Sequence, residues 1–447
     1  MSSSCSCGRC PCIIVPGIGQ SKVIEIDGDG KKIRNLWPFD FDPKPVIKKL
    51  TVPALAMLMT RHDCGFSKRV GRCTEQALEP LSCNPDSTRR HNVQVVSYPY
   101  PLSRCSEDER RYIYKMVPLH GLAQAIGEDH LYFFSYDIFG RTERNAELLR
   151  DFIRMVKLQT GHEKVNLIPV SMGATVTEMY FALYGDDCDV YRVVGVVPAY
   201  DGSTVVSDLM SGNLNLDNYE NLFITLLGNK DGTKINGALS HVPEKVVKST
   251  VSELLQGALR AVLLNSSAMW GLVPSKDYPL FRDRYLADDD HSDMRKYTDL
   301  HWEARRGIKE LVSREQERGV EFFNICGCGV RLFEAVASGG VSSDMIVPVF
   351  SSSMGAECAP LGGHFGEEYE QKSSSCAGHN HISPSGDIDA SCCAVPDRTW
   401  FYYNMEHEQA AENEALLTLV QKLLSSDEIS DVYSSPEYPQ FNIFEKQ

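Results

Sequence analysis

The chain has 447 residues, of which 43% are hydrophobic and 23% charged, the balance of a soluble globular protein with room for one decorated domain or two. A formal net charge of −15 argues against a nucleic-acid-binding surface, so no nucleic-acid partner is expected. The longest apolar stretches are too short to span a bilayer and the N-terminus is small and polar rather than signal-like, which predicts a cytoplasmic protein with no transmembrane segment and only transient contact with membrane surfaces.

Fifteen cysteines, an odd number, suit a reducing compartment in which most are free thiols. Residues 1–11 read as a flexible Cys-rich tail. Cys5, Cys7, Cys10 and Cys12 have zinc-like spacing, but a closed site needs two ligand pairs separated by a loop, and Cys12 opens a strand. No metal is expected there. Residues 12–15 form a short buried strand that ends in the turn Pro16-Gly-Ile-Gly19, and the alternation over residues 23–33 reads as a β-hairpin with an Asp-Gly turn. Lys31 falls where a calcium loop starting at Asp27 needs a third oxygen ligand, which excludes calcium.

Residues 34–111 lack clear periodicity beyond a short apolar helix near residues 50–60. They are expected to be an irregular insertion near a substrate mouth. Regular order returns with a helix over residues 119–126, a buried strand over 130–136, an amphipathic helix over 143–157, a strand over 165–170, a helix over 172–183 and a strand over 191–197. Alternating strands and helices predict a parallel sheet covered on both faces. Helical patterns then dominate from about residue 221 to residue 318, including 246–264 and 297–317, and residues 205–318 are read as a helical cap or lid in which Met269, Trp270 and Leu272 are candidates either to face an acyl chain or to pack in the core. Residues 319–447 return to the core, with strands over 320–326 and 400–407 and a terminal amphipathic helix. The expected core is therefore residues 12–33, 112–204 and 319–447.

The chemistry concentrates at Ser171. An apolar run of strand length stops there and a helical pattern begins at once, the mounting of a serine nucleophile on a sharp turn. Gly173 and Ala174 supply small residues after the serine, whereas Pro169 stands where the pattern asks for glycine. A serine hydroxyl needs a histidine to take its proton, and the histidine needs a carboxylate. In nucleophile-elbow enzymes the chain order is Ser, acid, His, and Ser171, Asp344 and His407 satisfy it. Asp201 is the alternative acid, and Glu334 is discounted as a residue on a helix. His364, His379 and His381 compete with His407, and with Cys376 they have the donor chemistry of a metal site, although a solvated loop is the preferred reading. Two backbone N–H groups must also face the developing oxyanion. Ile18, in the early glycine turn, and Met172, after the serine, are the expected donors.

Ile14-Val-Pro-Gly-Ile-Gly19, Gly127-Glu-Asp-His-Leu-Tyr-Phe-Phe-Ser-Tyr-Asp137, the serine turn, Pro198-Ala-Tyr-Asp-Gly-Ser203 and the late Asp and His together resemble the lecithin:cholesterol acyltransferase-like branch of the α/β-hydrolase lipases. The resemblance covers the core from residue 12 to residue 204 and, more loosely, 320–447, but not the 34–111 insertion or the helical cap. It implies an α/β-hydrolase fold and an oxyanion hole at Ile18 and Met172. Pro169 and Val170 replace the family's small residue and histidine. The expected activity is that of a serine esterase or lipase acting on carboxylic esters, with a small-molecule or lipid ester as partner, transfer to water or an acceptor alcohol, and no cofactor. A non-catalytic hydrolase-fold binding protein and a peptidase or amidase are the alternatives.

Overall fold

The computed structural model describes residues 9–38, 44–217, 242–333, 336–373 and 378–444, with residues 233, 237 and 240; of residues 44–48 it describes the backbone. Seven strands build the central sheet: β1 (Cys12–Val15), β2 (Leu131–Phe133), β3 (Val165–Pro169), β4 (Val190–Val196), β5 (Glu321–Cys328), β6 (Thr399–Tyr403) and β7 (Phe441–Ile443). Their spatial order is β2-β1-β3-β4-β5-β6-β7, and every adjacent pair is parallel. The chain leaves β1 toward one side for β2 and returns to the other side for β3. The crevice above the carboxyl ends of β1 and β3 is thus the topological switch point, where ligands collect in open parallel sheets.

Both faces of the sheet are covered, which is why its strands are continuous apolar runs. Ile13, Val15, Leu167, Val193 and Phe322 pack in one core with the helices Thr142–Thr160 and Gly173–Tyr184. Their neighbours Cys12, Ile14, Ile168, Val194 and Phe323 belong to the opposite core, which takes in the helices His120–Ile126 and Glu414–Ser425. β7 is absent from the sequence reading. Phe-Asn-Ile is too short for its alternation to register, and its pairing with Phe401 to Tyr403 is long-range information.

Residues 34–111 are not irregular. Lys32–Trp37 and Val93–Val95 flank Val23–Ile26 in a three-stranded antiparallel sheet, and two helices, Lys44–Thr60 and Phe66–Leu78, lie between. The second helix escaped detection because its buried residues, Ser67, Gly71 and Cys73, are small rather than large and apolar. They allow close contact with the helix Glu244–Ala258: a Cβ on Gly257 would lie 2.4 Å from the Gly71 carbonyl oxygen. Backbone meets backbone there.

The helical segment also differs in detail from its pattern. Glu244–Ala258 continues into a π-helical turn, Leu259–Leu263, and the helix expected over 297–317 is two, Ser292–Arg306 and Ile308–Glu317, divided at Gly307. Met269 and Trp270 are buried in the core instead of facing a ligand, and the Trp270 indole donates to the Leu264 carbonyl at 3.1 Å. Ser292–Arg306 lies against Gly173–Tyr184, where His301 Nε2 is 3.5 Å from Glu178 Oε2. Both side chains are buried. Burial raises the Glu178 pKa and lowers that of His301, so each is driven toward its neutral form. Among the described residues no helix is long and apolar enough to cross a membrane.

Substituting Gly257 by alanine should force the two helices apart and lower stability by about 1–3 kcal/mol, the usual cost of overpacking. Urea denaturation of the variant beside the wild type measures it, and an unchanged midpoint and slope would refute the close packing.

Candidate active site

β3 ends at Pro169, and Ser171 follows with φ of 53°, in the left-handed region that few side chains adopt. The turn is held on both sides: Val170 N–H donates to the Val15 carbonyl at 2.9 Å, and Ser171 N–H to the Val196 carbonyl at 3.1 Å. Pro169 fits this geometry. Residues 165 and 171 donate toward the β4 side, to Asp189 and Val196, and residue 169 shares their parity. The β3–β4 pairing runs as far as Leu167, with a register shift between Val165 and Asn166, and resumes with the bridge from Val170 to Val196, so the missing proline N–H falls in a gap of the ladder.

The helix Gly173–Tyr184 begins directly after Met172 and runs close to β1. A Cβ on Gly173 would lie 2.0 Å from the Val15 carbonyl oxygen, so only glycine permits this approach. Across the crevice, a Cβ on Gly17 would lie 2.9 Å from Ser171 Cβ. The early turn therefore abuts the serine directly.

Ser171 Oγ lies 2.9 Å from His407 Nε2, and His407 Nδ1 lies 2.7 Å from Asp344 Oδ2. The other Asp344 oxygen accepts from the backbone N–H groups of Ile346 and Val347 at 3.0 and 2.7 Å. The acid and base loops are also joined through the main chain, because His407 N–H donates to the Asp344 carbonyl at 2.8 Å. Gly327, on β5, makes room for this arrangement, since a Cβ there would sit 2.6 Å from Asp344 Cβ and 2.8 Å from the Met405 carbonyl oxygen. His407 opens the short helical turn His407–Ala411, whose start is fixed by a reciprocal cap between Glu406 and Gln409.

Burial works against the imidazolium of His407, but the Asp344 charge, the hydrogen bond to it and the Glu408 charge together outweigh burial. The His407 pKa stands above the ordinary histidine value.

Ile18 follows Gly17, which abuts the serine, and Met172 follows Ser171 directly. Among the described residues neither amide donates to a protein acceptor. The turn that carries Ile18 is braced by three side chains the sequence reading did not single out. Gln20 Oε1 accepts from Gly17 N–H at 2.6 Å while Gln20 Nε2 donates to the Met116 carbonyl at 2.9 Å. Tyr136, fully buried, donates to the Pro16 carbonyl at 2.7 Å, and Tyr112 donates to the Gln20 carbonyl at 3.0 Å. A glutamine just after a glycine turn is the only signal the sequence carried for them.

Asp201 is not a partner of His407, contrary to its expectation as alternative acid. Its carboxylate accepts from the backbone N–H and hydroxyl of Ser275 at 2.7 and 3.0 Å, which ties the segment after β4 to the helical region. Glu334, Cys5, Cys7 and Cys376 lie outside the described residues. Cys10 and Cys12 are occupied by backbone contacts, with Cys12 buried in β1. Among the described residues Ser171 Oγ pairs with His407, and no hydrogen bond joins it to His364, His379 or His381.

Beside Ser171 lies a cavity of about 180 Å³. Its walls are mostly apolar, with Val117, Leu119, Ile168, Val196, Ala410 and Leu417 among them, and Ser171 and His407 at its edge. No described residue of 34–111 or 205–318 lines it. Its walls come largely from the core on the side of His120–Ile126 and Glu414–Ser425, whereas the helical segment packs on the side of Gly173–Tyr184. None of the described helices of 205–318 lines this cavity, and Ser292–Arg306 among them packs against the serine helix.

The seven-stranded parallel sheet, flanked by helices and carrying a strand–serine–helix turn at its switch point, is an α/β fold of the hydrolase type. No family model matches the chain, and no curated protein does. Among solved structures it is similar to a chain of the Tle4-Tli4 complex, at 12% identity and a TM-score of 0.35 over 95% of this chain and 99% of that one.

The raised pKa of His407 has a direct readout. In an imidazole NMR titration His407 should titrate above the ordinary histidine value, and Glu408→Gln should move it downward by removing a nearby negative charge. An unmoved His407 resonance in the variant would show that Glu408 does not act on it.

Proposed function

We propose that the protein is a serine hydrolase that cleaves carboxylic esters through an acyl-enzyme on Ser171. The observation that carries the reading is the continuous chain from Ser171 Oγ through His407 to Asp344, at 2.9 and 2.7 Å. Ser171 Oγ attacks the ester carbonyl as His407 Nε2 takes its proton. The carbonyl oxygen becomes an oxyanion held by the Ile18 and Met172 amides. His407 then returns the proton to the leaving alkoxide, which departs as an alcohol. Water, deprotonated by His407, attacks the acyl-enzyme, the acyl–Oγ bond breaks to release the acid, and His407 returns the proton to Ser171 Oγ; an acceptor alcohol in place of water gives acyl transfer. Asp344 keeps Nδ1 protonated and stabilises the imidazolium without itself taking the proton. The mechanism uses no cofactor.

The apolar cavity supports an acyl chain as the group bound beside the serine, and the resemblance to the lecithin:cholesterol acyltransferase-like branch supports lipid-like esters, as in a lipase, phospholipase or acyltransferase. An apolar wall also disfavours a peptidase, whose substrate backbone needs polar partners on both sides of the scissile bond.

A fluorophosphonate probe should label the wild type and leave Ser171→Ala unlabelled. Wild type that fails to label, or labelling that survives Ser171→Ala, would remove the reading. With p-nitrophenyl esters, kcat/KM should rise by up to about fourfold for each methylene buried, corresponding to about 0.8 kcal/mol, until the cavity is filled. Ala410→Phe should shorten the preferred chain. A profile flat with chain length, or cleavage of peptides in preference to esters, would overturn the assignment of an acyl pocket.

A further inference from the structure

A second cluster of chemistry-bearing side chains lies outside the serine site. His379, His381 and Asp397 each present one ligand atom, and the three atoms lie within 4.8 Å of one another. His381 is completely buried, while His379 and Asp397 are about half exposed, so the cluster has a fixed floor and an open mouth.

The hydrogen bonds around His381 determine which of its nitrogens faces the cluster with a lone pair. The Gln440 amide nitrogen donates to the carbonyls of Pro396 and Thr399 at 2.9 and 3.2 Å. Gln440 Oε1 is therefore the atom turned toward His381 Nδ1, at 2.9 Å, and it can only accept. Nδ1 must carry a hydrogen. Nε2, in neutral histidine, is then the acceptor, and it faces Asp397 Oδ1 at 3.2 Å. An N–H anchored to an amide oxygen behind a buried imidazole is the outer-shell arrangement of ligating histidines.

With Nε2 unprotonated, two lone pairs face each other at that distance, a repulsion that a proton or a cation between them relieves. A proton on Nε2 satisfies His381 and Asp397 but leaves out His379, whose Nδ1 is 3.7 Å from the same carboxylate oxygen, too far for a hydrogen bond. A divalent cation satisfies all three. With metal–ligand distances of about 2.0–2.2 Å, the corners of a tetrahedral site are about 3.3–3.6 Å apart. The two separations to Asp397, 3.2 and 3.7 Å, bracket that edge, and the third ligand atom pair lies within 4.8 Å. The His379 ring is steadied against Tyr433, with ring centroids 4.2 Å apart, and the backbone of His381 is tied by Gln371 Oε1 to its N–H and by the Ala390 N–H to its carbonyl.

We infer that His379 Nδ1, His381 Nε2 and Asp397 form a divalent transition-metal site of zinc type, with water completing the coordination. Two imidazoles and one carboxylate suit Zn²⁺ or Co²⁺ better than the all-oxygen preference of Mg²⁺ or Ca²⁺. In the metal-free arrangement the Tyr433 hydroxyl, 3.2 Å from Nε2, donates to the lone pair that the cation would take. The site is structural in position: it pins the segment 378–397 beside β6, two residues before that strand begins.

The test uses the full chain, stripped with a chelator and then titrated with Zn²⁺ against a chromophoric competitor. His379→Ala and Asp397→Asn should each weaken uptake by at least about tenfold, the scale on which even outer-shell substitutions act. Both residues are half exposed and should leave the fold intact, which circular dichroism checks. Co²⁺ should give the visible bands of a four-coordinate nitrogen and oxygen site, without a thiolate charge-transfer band, and Zn²⁺ should raise the Tm of the wild type more than that of either variant. No uptake by the wild type would overturn the proposal. Uptake unchanged in both variants, or a cobalt spectrum dominated by thiolate, would overturn it in favour of a cysteine site elsewhere.

Discussion

The close approach of the serine helix to β1 is the constraint on which the rest of the site depends. With the Gly173 backbone against the Val15 carbonyl, there is no space for the chain to leave β3 in a relaxed conformation. Ser171 takes the strain in its positive φ, and its side chain stands clear of both strand and helix. The sheet recovers that cost through the hydrogen bonds from Val170 and Ser171 to strands on either side. Once the serine is placed, Gly17 is compelled by contact and Ile18 follows it. A local steric requirement thus propagates to three segments far apart in sequence.

Glycine at three points serves the same end by different routes. Gly17 lets the early turn touch the serine, Gly173 lets helix meet strand, and Gly327 leaves the volume into which Asp344 projects. None of these is a flexible joint. Each marks a place where backbone or side-chain atoms of two elements need the space of a missing methyl group, and together they set the distances on which proton transfer along Ser171, His407 and Asp344 would rely.

The core was legible in the sequence where burial is two-sided or strongly periodic: the β1, β3 and β4 runs, the helix Thr142–Thr160 and the terminal helix all announce themselves. Ser171, Asp344 and His407 were legible because their order along the chain and their positions after strands are chemical requirements. Asp201 passed the same filter and met Ser275 instead, since position after a strand does not specify direction. The helix Phe66–Leu78 was hidden because a helix can be buried through small residues, which hydropathy does not register. The helical segment's location was hidden for a different reason: amphipathic stripes say that a helix packs, not which face of the sheet receives it. Gln20 and Tyr136 brace the early turn through hydrogen bonds to backbone, and such bonds leave almost no trace in composition.

The double attachment between the Asp344 and His407 loops bears on how the proposed proton transfer would be controlled. Asp344 and His407 are joined by a side-chain bond and a main-chain bond. The two loops are thereby tied to each other, while the serine stands on a separate element, the turn held by β1 and β4. In the proposed mechanism the Ser171 to His407 separation would then be the distance open to change, and a shift in it would act on proton transfer without disturbing the tautomer that Asp344 would enforce.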